Sequence, residues 1–220
     1  MLKKLSATAS RKQASTVDLA KAKARAAAIA NLSQGMRAAA QYLAEFAREI
    51  NSIKPGAACA YDYVYLGRVP RVALAEAWSD SRSRRLEGNE CCDHVLFRYR
   101  IRPDPLARVE LQKDDIARCE SYLTANKTAF RKQVVATNEF GEATRAAFTV
   151  SGGLLCELEL RADYDVFAIA VELKNVRRPG TVRCRVAAGE LAGLPDDFGR
   201  YVLGADDDFE KRMRGAPGNR

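Results

Sequence analysis

Histidine occurs once in this chain, at His94, and tryptophan once, at Trp78. A single histidine means that any Ser-His or Cys-His catalytic pair would have to run through His94. No window of about 18 consecutive apolar residues occurs, which excludes a transmembrane helix by hydropathy. Phosphate-binding fingerprints are missing as well: there is no G-x-x-x-x-G-K-[ST], and no G-x-G-x-x-G following a strand, so ATP, GTP and dinucleotide chemistry are disfavoured. The N-terminus lacks the apolar core of a secretory signal, of about 7–15 residues. The six cysteines, at 59, 91, 92, 119, 156 and 184, fall in no C-x-x-C pair. Without a secretory signal a reducing compartment is the simpler setting, and free thiols acting as small hydrophobes are expected in place of a disulfide framework. Cys91-Cys92-x-His94 gathers three potential zinc ligands within four residues. Adjacent cysteines seldom both reach one tetrahedral ion, and no fourth ligand stands nearby, so neither a metal nor a cofactor is expected.

Acid is scarce at one end. Residues 1–44 hold Lys3, Lys4, Arg11, Lys12, Lys21, Lys23, Arg25 and Arg37 against Asp18 alone, a net +7, while the other 176 residues hold 28 bases and 27 acids, a net +1. The basicity of the chain (net +8, pI about 9.3) therefore belongs to an N-terminal arm, where contacts to a polyanion through released counterions would map. A solubilising tail is the plainer reading of the same charges. Residues 1–17, basic, rich in Ser, Thr and Ala and free of acids, also have the composition of a mitochondrial transit peptide. A cytoplasmic setting is the leading expectation, with the mitochondrial matrix as the minor one.

Three segments follow from the pattern: a flexible basic tail over 1–17, a long basic and amphipathic helix over 18–54, and a sheet domain over 57–214. Within the helix Ile29, Leu32, Met36, Ala39, Leu43, Phe46, Ile50 and Ile53 recur in alternating steps of three and four, making an a/d seam of more than three heptads. Pro55-Gly56 ends it. Such a stripe has three homes: a second copy, a partner's helix, or the chain's own sheet. Sparse e/g charge pairing and Gly35 beside Met36 weaken a dedicated coiled coil.

Beyond residue 57 the pattern turns to strands. Residues 79–93 are polar and read as a long loop, whose Arg82, Arg84 and Arg85 offer a second anion site. His94–Arg102 alternates, Val95, Phe97, Tyr99 and Ile101 on one face and Arg98, Arg100 and Arg102 on the other. That parity separates the aromatics from the arginines, against a stacking platform for single-stranded nucleic acid. Arg108–Gln112 reads as a strand and Asp114–Asn126 as a helix. Five strands in meander order follow: Ala129–Thr137, Thr144–Val150, Leu154–Leu160, Val166–Lys174 and Thr181–Ala187. A turn centred between Arg177 and Arg178 pairs Leu173 with Val182, Val171 with Cys184 and Glu172 with Arg183. A helix near 196–214 closes the chain. The fold expected is α+β: a mostly antiparallel meander, as a curved sheet or half-barrel with packed helices, preceded by the long helix.

One motif invites chemistry. Glu172-Leu173-Lys174, with Asp163 and Asp165 before it, has the flavour of a D…ExK metal-dependent nuclease, in which carboxylates hold Mg²⁺ and the lysine activates water. Yet both aspartates precede the same strand, and Glu172 already has Arg183 opposite it. The reading that leads is a non-enzymatic interaction or assembly protein, engaging a protein partner or a second copy through the seam Ile29, Leu32, Met36, Leu43, Phe46, Ile50 and Ile53. A nucleic-acid-binding protein using Lys3, Lys4, Arg11, Lys12, Lys21, Lys23 and Arg25 is the alternative, with the ExK nuclease third.

Overall fold

A computed structural model of the chain describes residues 2–57, 60–65, 67–103, 107–151 and 153–215, with side chains described between Asp18 and Met213. Over 2–17, where a flexible tail is expected, the backbone is helical and continuous with the helix that follows; no side chain is described there, those of Lys3, Lys4, Arg11 and Lys12 included.

Helix α1 (Leu2–Ile53) lies across a six-stranded antiparallel sheet, curled into a half-barrel. Its strands run in the order β1 (Gly56–Ala57), β4 (Val72–Leu86), β5 (Asn89–Pro103), β9 (Leu154–Asp163), β10 (Ala168–Lys174) and β11 (Thr181–Ala187). Two short strands, β2 (Tyr61–Tyr63) and β3 (Gly67–Val69), pair with each other. The α1 stripe packs against β4, β5 and β9, and Ile29, Leu32, Met36, Leu43, Phe46 and Ile50 are each buried in the chain's own core. The seam is therefore occupied from within, which corrects the expectation that it receives a partner helix or a second copy: a partner's side chains would have to displace the apolar faces of β5 and β9. Only Ile53, 72% exposed, stands outside. Burying side chains of this size stabilises by roughly 1.5–3 kcal/mol each, so the sheet holds the helix far more firmly than helix propensity could. The close approach also explains Gly35, where a Cβ would come within 2.9 Å of Leu191.

The alternation over 94–102 holds: Val95, Phe97, Tyr99 and Ile101 are buried beneath α1. So does the parity of the last hairpin, where Leu173 pairs with Val182, Val171 with Cys184 and Glu172 with Arg183. Two expectations are corrected. Residues 79–93 are not a loop; they are the far halves of β4 and β5, a ribbon of two 15-residue strands closed by the two-residue turn Glu87-Gly88. Both turn residues have positive φ (49° and 83°), the geometry that matches strand twist in a tight hairpin. Nor do the last five strands form one meander. β7 (Phe130–Thr137) and β8 (Ala143–Val150) join β6 (Ala107–Gln112) in a separate three-stranded sheet ordered β6–β8–β7, while β9 skips that insertion to pair with β5. Helix α2 (Lys113–Ala125) covers one face of the small sheet around its own core of Ile116, Cys119, Leu123, Phe148 and Val150.

The C-terminal segment is two helices rather than one, because Gly204 at φ +83° ends α3 (Leu194–Leu203) before α4 (Phe209–Gly215) begins. Pro195, Asp196 and Asp197 occupy the first turn of α3, as a helix N-terminus favours. A line of ring contacts ties these helices to the sheet: Phe46 stacks on Phe97 at 5.6 Å, Phe97 meets Phe198 edge-on at 5.9 Å, and Phe198 meets Phe209 at 6.0 Å.

Candidate functional site

With α1 covering one face of the six-stranded sheet, the side chains of opposite parity form its other face, and the strand register arranges them in rows. One row reads Arg82, His94, Arg161, Ala170 and Arg185 across β4, β5, β9, β10 and β11. The next reads Asp80, Leu96, Glu159, Glu172 and Arg183, and the third Trp78, Arg98, Glu157, Lys174 and Thr181. A mostly cationic row thus lies beside one containing three carboxylates. Glu159 and Glu172 stand directly opposite each other, a repulsive pairing by itself. It is relieved on both sides: Arg183 bonds Glu172 at 2.6 Å, and Glu159 accepts from His94 at 2.6 Å and from Arg161 at 2.7 Å.

Two depressions open on this face. The larger, about 660 Å³, is lined by Arg82, Arg84, Arg98 and Arg161 together with Asp93, His94, Glu159 and Leu96. The smaller, about 440 Å³, shares Glu159 and Arg161 with it and extends to Glu172 and Arg183, over the short side chain of Ala170. At the centre, burial works to raise the pKa of Glu159, but the bonds from His94 and Arg161 outweigh it and hold the carboxyl below its usual range. An ionised carboxylate only accepts, so Nε2 of His94 carries the proton of that bond. Nδ1 is buried with no hydrogen-bond partner. Arg98 pairs with Glu157 and lies over the Trp78 ring, 5.3 Å from its centroid. Arg84 is 3.5 Å from Asp93, and Arg82 is 3.7 Å from Asp80.

Of the anion site anticipated in the polar stretch, Arg82 and Arg84 line the larger depression. Arg85 does not; it stands opposite Glu90 in the strand register, nearer the hairpin tip. His94 and Arg98 were not joined to that site by sequence because residues 79–93 read as a loop rather than as paired strand, and Glu159 and Arg161 because β9 follows β5 only after a 50-residue detour.

The basic arm is divided by the structure. Between Asp18 and Ala28 the helix is exposed or half-buried throughout, and Lys21 and Lys23 are exposed without an ion pair among the described residues. Arg25, assigned to phosphate contact with them, is already engaged within the chain. It bonds Glu87 at 2.8 Å, lies 3.7 Å from Asp165 and sits over the Phe167 ring at 5.8 Å from its centroid.

The nuclease constellation does not assemble. Asp163 and Glu172 share a face but stand four residue steps apart along the β9–β10 ladder, roughly 13 Å at 3.3 Å per residue. Asp163 caps the turn that follows it, accepting from the backbone N–H of Asp165 at 3.1 Å, and its other oxygen faces Arg185 at 3.4 Å. Lys174 is exposed at the end of β10, opposite Glu157. Among the described residues no group of three or more His, Cys, Asp and Glu side chains is placed to hold a metal ion. Cys91 and Cys92 are buried while His94 turns onto Glu159. The five described cysteines are free and buried; Cys59 lies outside the described residues. Burial pushes the thiols of Cys119 and Cys184 up to about 11, and those of Cys92 and Cys156 upward as well, so nucleophilic thiolates are scarce at neutral pH.

Comparison with models of protein families, with curated proteins and with solved structures finds no match to this chain.

Proposed function

We propose that this is a non-enzymatic binding protein that contacts a nucleic-acid backbone through the basic N-terminal part of α1, with the half-barrel as the body that anchors the helix. The observation that carries this reading is the division of α1 at Ile29. From Ile29 onward the apolar stripe is spent on the chain's own core, whereas Lys21 and Lys23 stand exposed before it. What the helix has left to offer a partner is therefore charge, in a segment (residues 1–28) that holds seven bases against Asp18 alone, a net +6. The raised thiol pKa values and the dispersed carboxylates of the Asp163–Lys174 region support binding over catalysis.

The test uses the full chain and a variant with Lys3, Lys4, Arg11, Lys12, Lys21 and Lys23 changed to Gln. Binding of labelled mixed-sequence DNA and RNA is followed across a salt series. The expected result is affinity for the wild-type chain that falls with salt, and a shallower slope for the variant, by about 0.9 per duplex phosphate contact removed. Flat, weak curves for the wild-type chain, or equal slopes for both proteins, refute the reading.

A further inference from the structure

We infer that the larger depression on the open sheet face is a binding site for the phosphate group of a small molecule, held by Arg82, Arg84, Arg98 and Arg161. This site lies on the body and stands independently of the proposed role of the basic helix.

The first argument is charge. Four arginines line the depression together with Asp93 and Glu159. The carboxylates that pair with the other two arginines, Asp80 with Arg82 and Glu157 with Arg98, lie outside the lining, so positive charge is concentrated at the cavity wall although each arginine has a carboxylate partner. The second is donor supply. Each guanidinium carries five N–H donors in a planar fork, and the ion pairs here occupy a minority of them. Glu159 is shared between His94 and Arg161, while Arg82 has only the 3.7 Å approach of Asp80. Such forks match phosphate oxygens with paired, charge-assisted bonds. The third is placement. His94 is the cross-strand neighbour of both Arg82 and Arg161, which puts the two arginines two strand spacings apart, about 10 Å between Cα atoms. Two side chains of arginine length can converge on one group across that gap. Glu159, kept ionised, then has a positioning role: it fixes Arg161 and the His94 ring from below. Leu96, 8% exposed, lines the same depression and offers an apolar contact to the organic part of a ligand.

The test is calorimetric titration of the full chain with inorganic pyrophosphate and, separately, with phenyl phosphate, the second arm showing whether an attached organic group improves binding. Saturable binding is expected for at least one probe. It should weaken about tenfold or more in Arg82→Gln/Arg161→Gln, corresponding to the loss of at least one charge-assisted bond. Both side chains are largely exposed (73% and 67%) and His94 still bonds Glu159, so the variant should keep its circular dichroism spectrum. Lys21→Gln/Lys23→Gln should bind the probes as the wild type does. No saturable heat for either probe at millimolar ligand overturns the proposal, as does equal affinity in the Arg82/Arg161 variant, or loss of binding in the Lys21/Lys23 variant.

Discussion

Asn51 belongs to the last turn of α1 yet bonds like a strand residue. Its amide donates to the Ala77 carbonyl at 2.7 Å, and its carbonyl oxygen accepts from the Ala77 N–H at 2.8 Å. The register of β4 against β5 slips between Ala75 and Trp78, and Glu76 there adopts φ +52°, so the Ala77 backbone is turned away from its strand partner. Asn51 supplies both bonds that the bulge removes, and Glu76 is thereby aimed at Arg100 and Arg102. Replacing Asn51 with Leu leaves two backbone groups of a buried residue unpaired, at a cost of about 1–3 kcal/mol. Urea unfolding should show a lowered midpoint with an unchanged slope; an unchanged midpoint would mean that water replaces the side chain without loss. Nothing in the sequence marks Asn51 for this task, since an asparagine near a helix end reads as an ordinary terminal residue.

At the scale of elements, legibility followed the periodicity of burial. The α1 stripe, the 94–102 alternation and the last hairpin each place apolar residues on one face, and each reads correctly from sequence. The far half of β4 fails because it buries nothing: Ser81, Arg82, Ser83, Arg84 and Arg85 are all exposed. Its strand character lies in backbone bonds to β5, which leave no mark on composition, and the one available signal was the Glu87-Gly88 turn. The β5–β9 pairing was illegible for a different reason, since the insertion carrying β6, α2, β7 and β8 separates strands that share the candidate site. Local parity fixed which residues share a face of one strand, not which distant strand lies beside it. The tip of the β4–β5 ribbon is held to α1 by Arg25 on Glu87, aided by Asp165 and Phe167. Arg25→Ala should leave the melting temperature nearly unchanged, because exposed pairs contribute little, while amide exchange over 84–90 quickens. Unaltered exchange at those amides would show that the ribbon holds itself.

The whole molecule is closed by aromatic and phenolic side chains gathered from distant parts of the chain, and this sets its response to alkali. Burial pushes the phenols of Tyr122 and Tyr201 up to about 12, and those of Tyr61 and Tyr63 higher than the ordinary tyrosine range. A folded-state pKa raised above the unfolded value contributes stability that is complete below about pH 10 and is lost as pH climbs towards the folded value. The tyrosinate absorbance of these residues should therefore appear together with the loss of near-ultraviolet circular dichroism, above pH 10. A smooth titration near pH 10 with the fold intact would contradict their burial. The same core joins the two ends of the chain: Leu32 and Leu43 of α1 share it with Phe209 and Met213 of α4. On the ribosome the α1 stripe is made before any of its cover: β4 and β5 follow by residue 103, and the last of its sheet cover, on β9, comes about 100 residues after the stripe. At synthesis rates of about 5–20 residues per second, the nascent helix carries an unsheltered apolar edge for several seconds or more. The 107–150 unit, with its own core, is made within that interval, ahead of β9. The stripe that the finished protein hides is thus on display only to the machinery that attends its birth.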